Sequence, residues 1–496
     1  MNKTESILDV KVDQKTVRKS ALNSVVIQMI FKLKGLITVP IMTYYLKPQE
    51  MGIYNIITVT AYLLYPIFSL NLIAGPSIYL IQEKSKERIR EMYNTIVNGS
   101  ILFYLISTII FWLVMYKSGG KYYRYLYLVL PLMYSTLIYL SFACVLMFFH
   151  KTTILVRISF YKDLAGVILT ILIVIAGASY YGMIFVVVFT DIIAGIYIYR
   201  LIKKDLPYKI FIDRKILHTF LKMSLPLLPV VIFSWVIQSS DSYFLAYFKG
   251  EETVGKYSVI YGLSNVILIL HHALNLFWNP VSGKLWIEDK EKYRKAFISI
   301  FAFLTAFLFL AVLLFEFNSK LIMQFLVKRA DYQDAYTIMG LIAFAFAMQV
   351  LITLLTAPLY SNRNPAMIFI SYLVGSLINT VLNFVLIPPY GIWGAAISTA
   401  VSYFIVVSMM TYLNYRTAKF PFLDKRLFYI GSLFIVLWIG LARLREQLPL
   451  SQVLIGNIVL LLSLGAFLFF LILRQNEKEY FYSFFKELRA KISTKA

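Results

Sequence analysis

Several ionisable side chains sit where the chain is otherwise apolar. Lys32, Lys34, Lys162, Asp163, Asp191, Asp241, His271 and His272 all fall within runs of about 20 predominantly apolar residues, the length of a membrane-crossing helix. In hydrocarbon such a group costs at least about 2.5–3.5 kcal/mol, so it is retained when it faces a partner or a polar cavity. Lys32 and Lys34 lie near the middle of the first run, and His271 and His272 near the middle of the eighth. Asp191 is central in the sixth run and Asp241 lies in the outer part of the seventh. Lys162 and Asp163 are placed near the inner end of the fifth, at headgroup depth, where snorkelling or pairing accounts for them. Lysines and histidines within the runs outnumber the aspartates, and no glutamate is expected mid-run. A cavity lined this way suits an anionic cargo such as a phosphate or pyrophosphate, which lysine binds as a compact point charge.

The expected substrate-binding set is therefore Lys32, Lys34, His271 and His272, with Asp191, Asp241 and Asn275 as ion-coupling or polar cavity groups. Lys32 and Lys34 are two positions apart, about 200° around a helix, so both cannot face one narrow site. The adjacent histidines diverge by about 100°, leaving room for one of them to be a packed core residue. For Asp191 and Asp241 a helix–helix hydrogen bond is the competing reading.

The elements that must hold these groups follow from composition. The chain has 496 residues, 60% of them hydrophobic and only 15% charged, with a mean hydropathy of +0.73. No soluble chain of this length hides so much apolar surface. The expected fold is an all-α integral membrane protein of about 14 transmembrane helices. Spans are predicted near 21–46, 53–81, 92–116, 122–148, 157–178, 182–202, 219–247, 253–281, 296–316, 335–360, 366–388, 391–413, 427–442 and 452–473. Of 48 lysines and arginines, 33 fall on the side of both termini, 11 on the other and 4 within spans. That bias places both termini in the cytoplasm. The net charge of +23 sits in short loops, which argues against a nucleic-acid partner. The first 20 residues lack an apolar core, so no cleavable signal peptide is expected. Lone Cys144 leaves no disulfide framework. Residues 476–496 and, more weakly, 204–218 have the pattern of interfacial amphipathic helices.

An internal repeat organises the spans. Tyr45, Lys47 and Glu50 match Tyr247, Lys249 and Glu252 at an offset of 202, and Gly52 and Tyr54 match Gly255 and Tyr257 at 203. Asn71, Leu72 and Pro76 match Asn275, Leu276 and Pro280 at 204; Tyr181, Gly182 and Thr190 match Tyr390, Gly391 and Thr399 at 209. Spans 1–6 thus repeat as spans 7–12 in the same orientation, giving two parallel-repeat six-helix bundles plus two C-terminal helices. Such repeats belong to transporters that rock two bundles about a central site. The expected divisions are a cytoplasmic segment 1–20, an N-lobe 21–202, an interfacial linker 203–218, a C-lobe 219–414, spans 13–14 within 415–473, and an amphipathic tail 474–496. At the local offsets Asp191 faces Ala400, and His271 and His272 face Ile67 and Phe68, so the scaffold alone does not require these charges.

Lys32 and Gly35, then Pro40 and LKPQEMGIY, with their counterparts LPLLP (225–229), SDSYF (240–244) and VGKYSV (254–259), resemble the Wzx-type polysaccharide flippases. Those belong to the superfamily that also holds the MATE drug exporters and the lipid II flippases. The resemblance spans essentially the whole chain. The chain departs from it at Leu46-Lys47, where many relatives have Leu-Gly, and at Asp241-Ser242, where Asp-Arg is common. The resemblance implies a MATE-like fold in a bacterial cytoplasmic membrane. It also implies translocation of an undecaprenyl-pyrophosphate-linked oligosaccharide by alternating access. The implied partners are that anionic lipid-linked oligosaccharide, membrane lipids and the polysaccharide polymerase machinery. Such transport is coupled to a proton or sodium gradient, for which Asp191 is the candidate, and no other cofactor is implied.

The rival readings are a lipid II or other lipid-linked precursor flippase and a MATE-type small-molecule exporter. An exporter of cationic drugs calls for buried carboxylates rather than mid-depth lysines. An enzyme is not expected: no nucleotide-binding loop, metal-ligand cluster, nucleophile–base set or long external loop appears.

Overall fold

The protein was analysed as a computed structural model, which describes residues 34–73, 83, 85–118, 125–149, 151–362, 364–418, 425–448 and 450–467. Within them the chain is helical, as it must be where no water is available to satisfy backbone groups. The N-lobe comprises α1 (Lys34–Tyr45), α2 (Pro48–Phe68), α3 (Lys86–Ser118), α4 (Leu126–Phe148), α5 (Thr152–Ile175) and α6 (Ser179–Ile202). A short amphipathic helix, α7 (Arg214–Ser224), precedes the C-lobe. The C-lobe holds α8 (Leu228–Lys249), α9 (Glu251–Ser264), α10 (Ile269–Glu288), α11 (Lys290–Leu326), α12 (Met339–Ser361), α13 (Pro365–Tyr390) and α14 (Ile392–Ala418). Then come α15 (Lys425–Gln447) and α16 (Leu450–Phe467).

Among the described residues 12 helical stretches are long and apolar enough to cross a membrane, corresponding to predicted spans 2 to 13. The first half of span 1, the segments 1–20 and 474–496 and the end of span 14 lie outside the described residues. Two buried apolar clusters form, one within 53–220 and a larger one dominated by residues beyond 237. Large apolar side chains such as Ile109, Phe185, Phe384 and Val436 face outward, as they would toward lipid.

Three features depart from the expected map. Span 8 is two helices, with a 3-10 turn at Asn265–Leu268 between α9 and α10. Span 7 is interrupted by a 3-10 turn at Leu225–Leu227, where Pro226 and Pro229 lack the backbone hydrogen-bond donors of a continuous α-helix. Span 9 does not stop at 316: α11 has 37 residues, about 55 Å, and the presumed external loop 317–334 is mostly helix and 3-10 turn.

The linker between the lobes is clipped to α3. Asn98 Nδ2 donates to the carbonyls of Lys209 (2.8 Å) and Phe211 (3.2 Å), and Asn94 Oδ1 accepts from the Lys209 amide at 2.8 Å. Asp213 then caps α7 by accepting from the amides of Lys215 and Ile216. The Ile216 amide, and with it that of Lys215, holds the Asp213 carboxyl below its ordinary range. A carboxyl with a depressed folded-state pKa stabilises fully above its unfolded pKa and loses that effect as pH falls through the folded value. Protection of the Ile216 amide, its exchange rate relative to that of an unstructured amide at the same pH, should therefore hold at neutral pH and fall only once pH drops below the usual carboxylate range.

The lobes meet along α2 and α9. An ideal Cβ on Gly52 would sit 1.8 Å from the Glu251 carbonyl oxygen, and one on Gly255 would sit 1.8 Å from the Pro48 carbonyl oxygen. Gly52 and Gly255 are matched in the repeat, and so are their contacts, which makes this crossing the pseudo-twofold centre of the molecule. Farther along α2, Trp235 Nε1 donates to the Val59 carbonyl at 3.0 Å, and Thr60 is hydrogen-bonded to Tyr243. At the other end of the repeat the register differs from expectation. The left-handed glycines that break the chain before α6 and α14 are Gly177 and Gly391, 214 residues apart. Gly182 instead packs inside α6 against Ile173. The 209-residue offset is therefore a local resemblance and does not superpose the helices.

Helices α15 and α16 are fastened to the C-lobe. Arg445 Nη1 lies 2.6 Å from Glu316 Oε1, and both side chains are buried. Asn318 and Asn457 exchange amide hydrogen bonds of 2.8 and 2.7 Å between α11 and α16. Glu316 is thus a buried glutamate within a long helix, ten residues before its C-terminal end at Leu326, where none is expected mid-run. Glu316 escaped notice because its partner stands 129 residues away, and hydropathy reads both residues as the ends of spans.

Candidate functional site

The largest departure from the expected site concerns Lys162. Helix α5 starts at Thr152, five residues before the predicted boundary, so Lys162 stands ten residues, about 15 Å, along a 24-residue helix. It is not at the headgroups. Its Nζ lies 2.8 Å from Asp191 Oδ1 and 3.6 Å from Asp163 Oδ1, and 4.4 Å from the centroid of the Tyr139 ring. Thr136 donates to the other oxygen of Asp191 at 3.2 Å. Asp191 is 4% exposed, so these contacts take the place of solvent around its carboxylate.

The cluster lines a cavity of about 390 Å³ inside the N-lobe. Five helices contribute: Thr38 and Met42 from α1, Tyr54 and Tyr62 from α2, Thr136 and Tyr139 from α4, Lys162 and Asp163 from α5, and Thr190 and Asp191 from α6. Chemically this is one cation shared between two carboxylates, with hydroxyls around it. Such a pair can exchange partners: an anion entering the cavity competes with Asp191 for the ammonium.

Asp241 occupies the C-lobe and is 1% exposed. It accepts from the Tyr257 hydroxyl (2.5 Å), the Ser242 amide (2.9 Å) and Thr399 Oγ1 (3.2 Å). Beside it Ser240 donates to Asn379 Oδ1 at 3.0 Å, which also accepts from Asn383 Nδ2 at 3.0 Å. Asn383 Oδ1 is buried without a hydrogen-bond partner. Hard cations take oxygen ligands. The carboxylate of Asp241, held by three protein donors, and the orphaned amide oxygen of Asn383 are oxygens of that type. Among the described residues no cluster of three His, Cys, Asp or Glu side chains of the metal-holding kind occurs. Asn379 and Asn383, spaced i, i+4 in an apolar run, were missed from the sequence, although that spacing alone puts two amides on one helix face.

The remaining predicted residues divide. His271 is engaged at both ring nitrogens, by Thr353 Oγ1 at 2.5 Å and Asn275 Nδ2 at 3.0 Å, and so ties α10 to α12. Asn275 also donates to the His271 carbonyl at 3.0 Å. Neither residue lines the N-lobe cavity. Lys32 lies outside the described residues. Lys34 opens α1 and His272 lies in α10, but their side chains are outside the description. Among the described side chains, the structure gathers Lys162, Asp163 and Asp191 at one cavity.

A stability test separates the two roles of Lys162. Replacing it with methionine leaves Asp191 buried without its cation, which should cost about 3–5 kcal/mol. Adding Asp191→Leu should restore most of the melting temperature, because an apolar pair can replace a buried ion pair. Cargo transport should not return with it.

Two lobes related by a parallel repeat, each with a buried acid, define a multi-pass membrane protein of the MATE and lipid II flippase fold. The structure is similar to the lipid II flippase MurJ in an inward closed conformation, with a TM-score of 0.71 over 91% of this chain and 100% of that one, at 15% identity. It is also similar to an inward-facing multidrug resistance MATE family transporter of the MOP superfamily, with a TM-score of 0.55 over 79% of this chain and 96% of the other, at 14% identity. At these identities the likeness carries the fold alone. The chain belongs to the polysaccharide biosynthesis protein family, whose match covers residues 17–286. It is also 23% identical over 241 residues to the uncharacterized membrane protein MJ1068 of Methanocaldococcus jannaschii, a match covering 47% of this chain. The chain spans about half the length of that curated relative, 46%.

Proposed function

We propose that the protein flips a polyprenyl-pyrophosphate-linked oligosaccharide across the cytoplasmic membrane for surface polysaccharide assembly, by alternating access of its two lobes. The termini lie in the cytoplasm, and the Gly52–Gly255 crossing seals the opposite side. The observation that carries this reading is a lysine held at mid-depth, between carboxylates, in an N-lobe cavity of a chain from the polysaccharide biosynthesis family. The cargo's phosphate competes with Asp191 for Lys162. In the C-lobe, Asp241 with Thr399, Asn379 and Asn383 holds a coupling cation when one binds. The protein makes and breaks no covalent bond; its work is partition and orientation. A precursor such as lipid II offers the same pyrophosphate and would engage the same lysine, so the sugar decides between these cargoes.

The reading is tested by deleting the gene in its host and adding a membrane-impermeant glycosidase to spheroplasts or to inverted vesicles. Lipid-linked oligosaccharide should accumulate and be digested only in the inverted vesicles. Digestion in intact spheroplasts at the normal level would contradict the proposal.

A further inference from the structure

Helices α5 and α6 enclose a second void, outside the N-lobe cavity, that the site above does not use. It is a groove of about 630 Å³ on their outward faces, within the usual range for small-ligand sites of about 300–1,000 Å³. Its walls are apolar and aromatic, chiefly Tyr161 and Leu169 from α5 and Phe189, Ile193 and Tyr197 from α6. Helix α5 is the least buried of the long apolar helices, so this face is turned to lipid.

Two cations interrupt the apolar lining. Arg157 lies five residues inside α5, is exposed, and has neither an ion-pair nor a hydrogen-bond partner among the described residues. An arginine so placed in a span requires an anion or a route to the headgroups. Lys162 lies five residues, about 7.5 Å, deeper along the axis. Lys162 and Thr190 line both the groove and the internal cavity. The wall between membrane and cavity is therefore one side chain thick at the lysine itself.

We propose that this groove is the membrane-side docking site of the cargo's polyprenyl pyrophosphate. The isoprenoid chain lies against Tyr161, Phe189 and Ile193, and the phosphates meet Arg157 first and Lys162 next. The inference rests on the flippase reading and deepens it, by giving the lipid a lateral entrance between α5 and α6. Two cations at successive depths, the deeper one shared with the cavity, match a pyrophosphate that must pass inward. The single phosphate of a bilayer phospholipid matches only Arg157.

The test places p-benzoylphenylalanine at position 193 of the full chain, in vesicles of phosphatidylethanolamine and phosphatidylglycerol containing a radiolabelled polyprenyl-pyrophosphate disaccharide. Illumination should label the protein saturably, and excess phosphatidylglycerol should not compete. Arg157→Ala should reduce labelling by about tenfold or more, the size of one charge-assisted hydrogen bond, while Arg157→Lys should retain most of it. Arg157 is exposed, so both variants keep the packing, and an unchanged elution profile checks that. Labelling indifferent to Arg157→Ala, or equal labelling by a radiolabelled phosphatidylglycerol, would overturn the groove. If the unsubstituted protein flips the probe while position 193 stays unlabelled, the groove is wrong and the flippase reading stands. If the unsubstituted protein neither flips nor binds the probe, both fall together.

Discussion

Replacing Gly255 with alanine should abolish most transport while leaving a folded protein in the membrane. The new methyl would meet the Pro48 carbonyl oxygen at 1.8 Å, and no rotamer can relieve a clash with backbone. Carbon–oxygen contact distances require α2 and α9 to separate by at least about 1.5 Å. Overpacking of this kind costs about 1–3 kcal/mol. The larger apolar cluster runs across the crossing, with Met51 and Ile56 of α2 in it together with Val254 and Tyr257 of α9, so the cost falls on the α2–α9 contact itself. An equilibrium shifted by that amount changes the population of the closed state by about 5–150-fold. Gly52→Ala should act the same way through the Glu251 carbonyl, and the double variant should be little worse than either single one. Spin labels on the lobes flanking the crossing, read by pulsed distance measurement, should report the separation. Wild-type distances and transport in Gly255→Ala would show that the crossing need not form.

Replacing Arg445 with alanine should have the largest effect on stability. It leaves Glu316 buried without its cation, in a place where the Gly340 backbone presses close. Breaking such a pair from one side costs about 3–5 kcal/mol. The melting temperature in detergent should fall sharply, and proteolysis should begin in α15. The double replacement Glu316→Leu with Arg445→Met should recover both stability and transport, because this pair anchors α15 to α11 and touches no cavity named here. That sets it apart from Lys162 and Asp191, where the apolar double replacement should recover stability alone. A Glu316/Arg445 double variant that is stable but inactive would mean that α15 moves relative to the C-lobe during transport.

What the sequence revealed and what it withheld follow from the length scales of the signals. Runs of about 20 apolar residues can only be membrane helices, so the all-α architecture was legible, as was the kinship of Gly52 with Gly255. Their roles are tied to backbone geometry that repeats with the chain. Ion pairs within the membrane were hidden, because hydropathy reads each charged residue as the end of a span. A predicted start at 157 therefore puts Lys162 near the headgroups, Glu316 becomes the last residue of span 9, and Arg445 falls just beyond the end of span 13 at 442. Asp191 was singled out because it stood too far from any span end to be trimmed, but its partner in α5 required a contact that sequence distance does not show. The bonds of His271 to Thr353 and Asn275 were hidden for the same reason, Thr353 lying 82 residues away. Asn379 and Asn383 carry no formal charge, so a search for charges passed over them.

The central claim is that cargo moves through this protein by exchanging its phosphate onto Lys162. The most direct measurement is leaflet-resolved flipping in proteoliposomes, using a fluorescent polyprenyl-pyrophosphate oligosaccharide and an outside-only quencher, with wild type and Lys162→Met/Asp191→Leu compared at matched protein levels. The account predicts protein-dependent loss of protection with wild type and none above empty vesicles with the double variant. Equal flipping by both proteins, or movement of a cationic dye instead of the lipid, would contradict it.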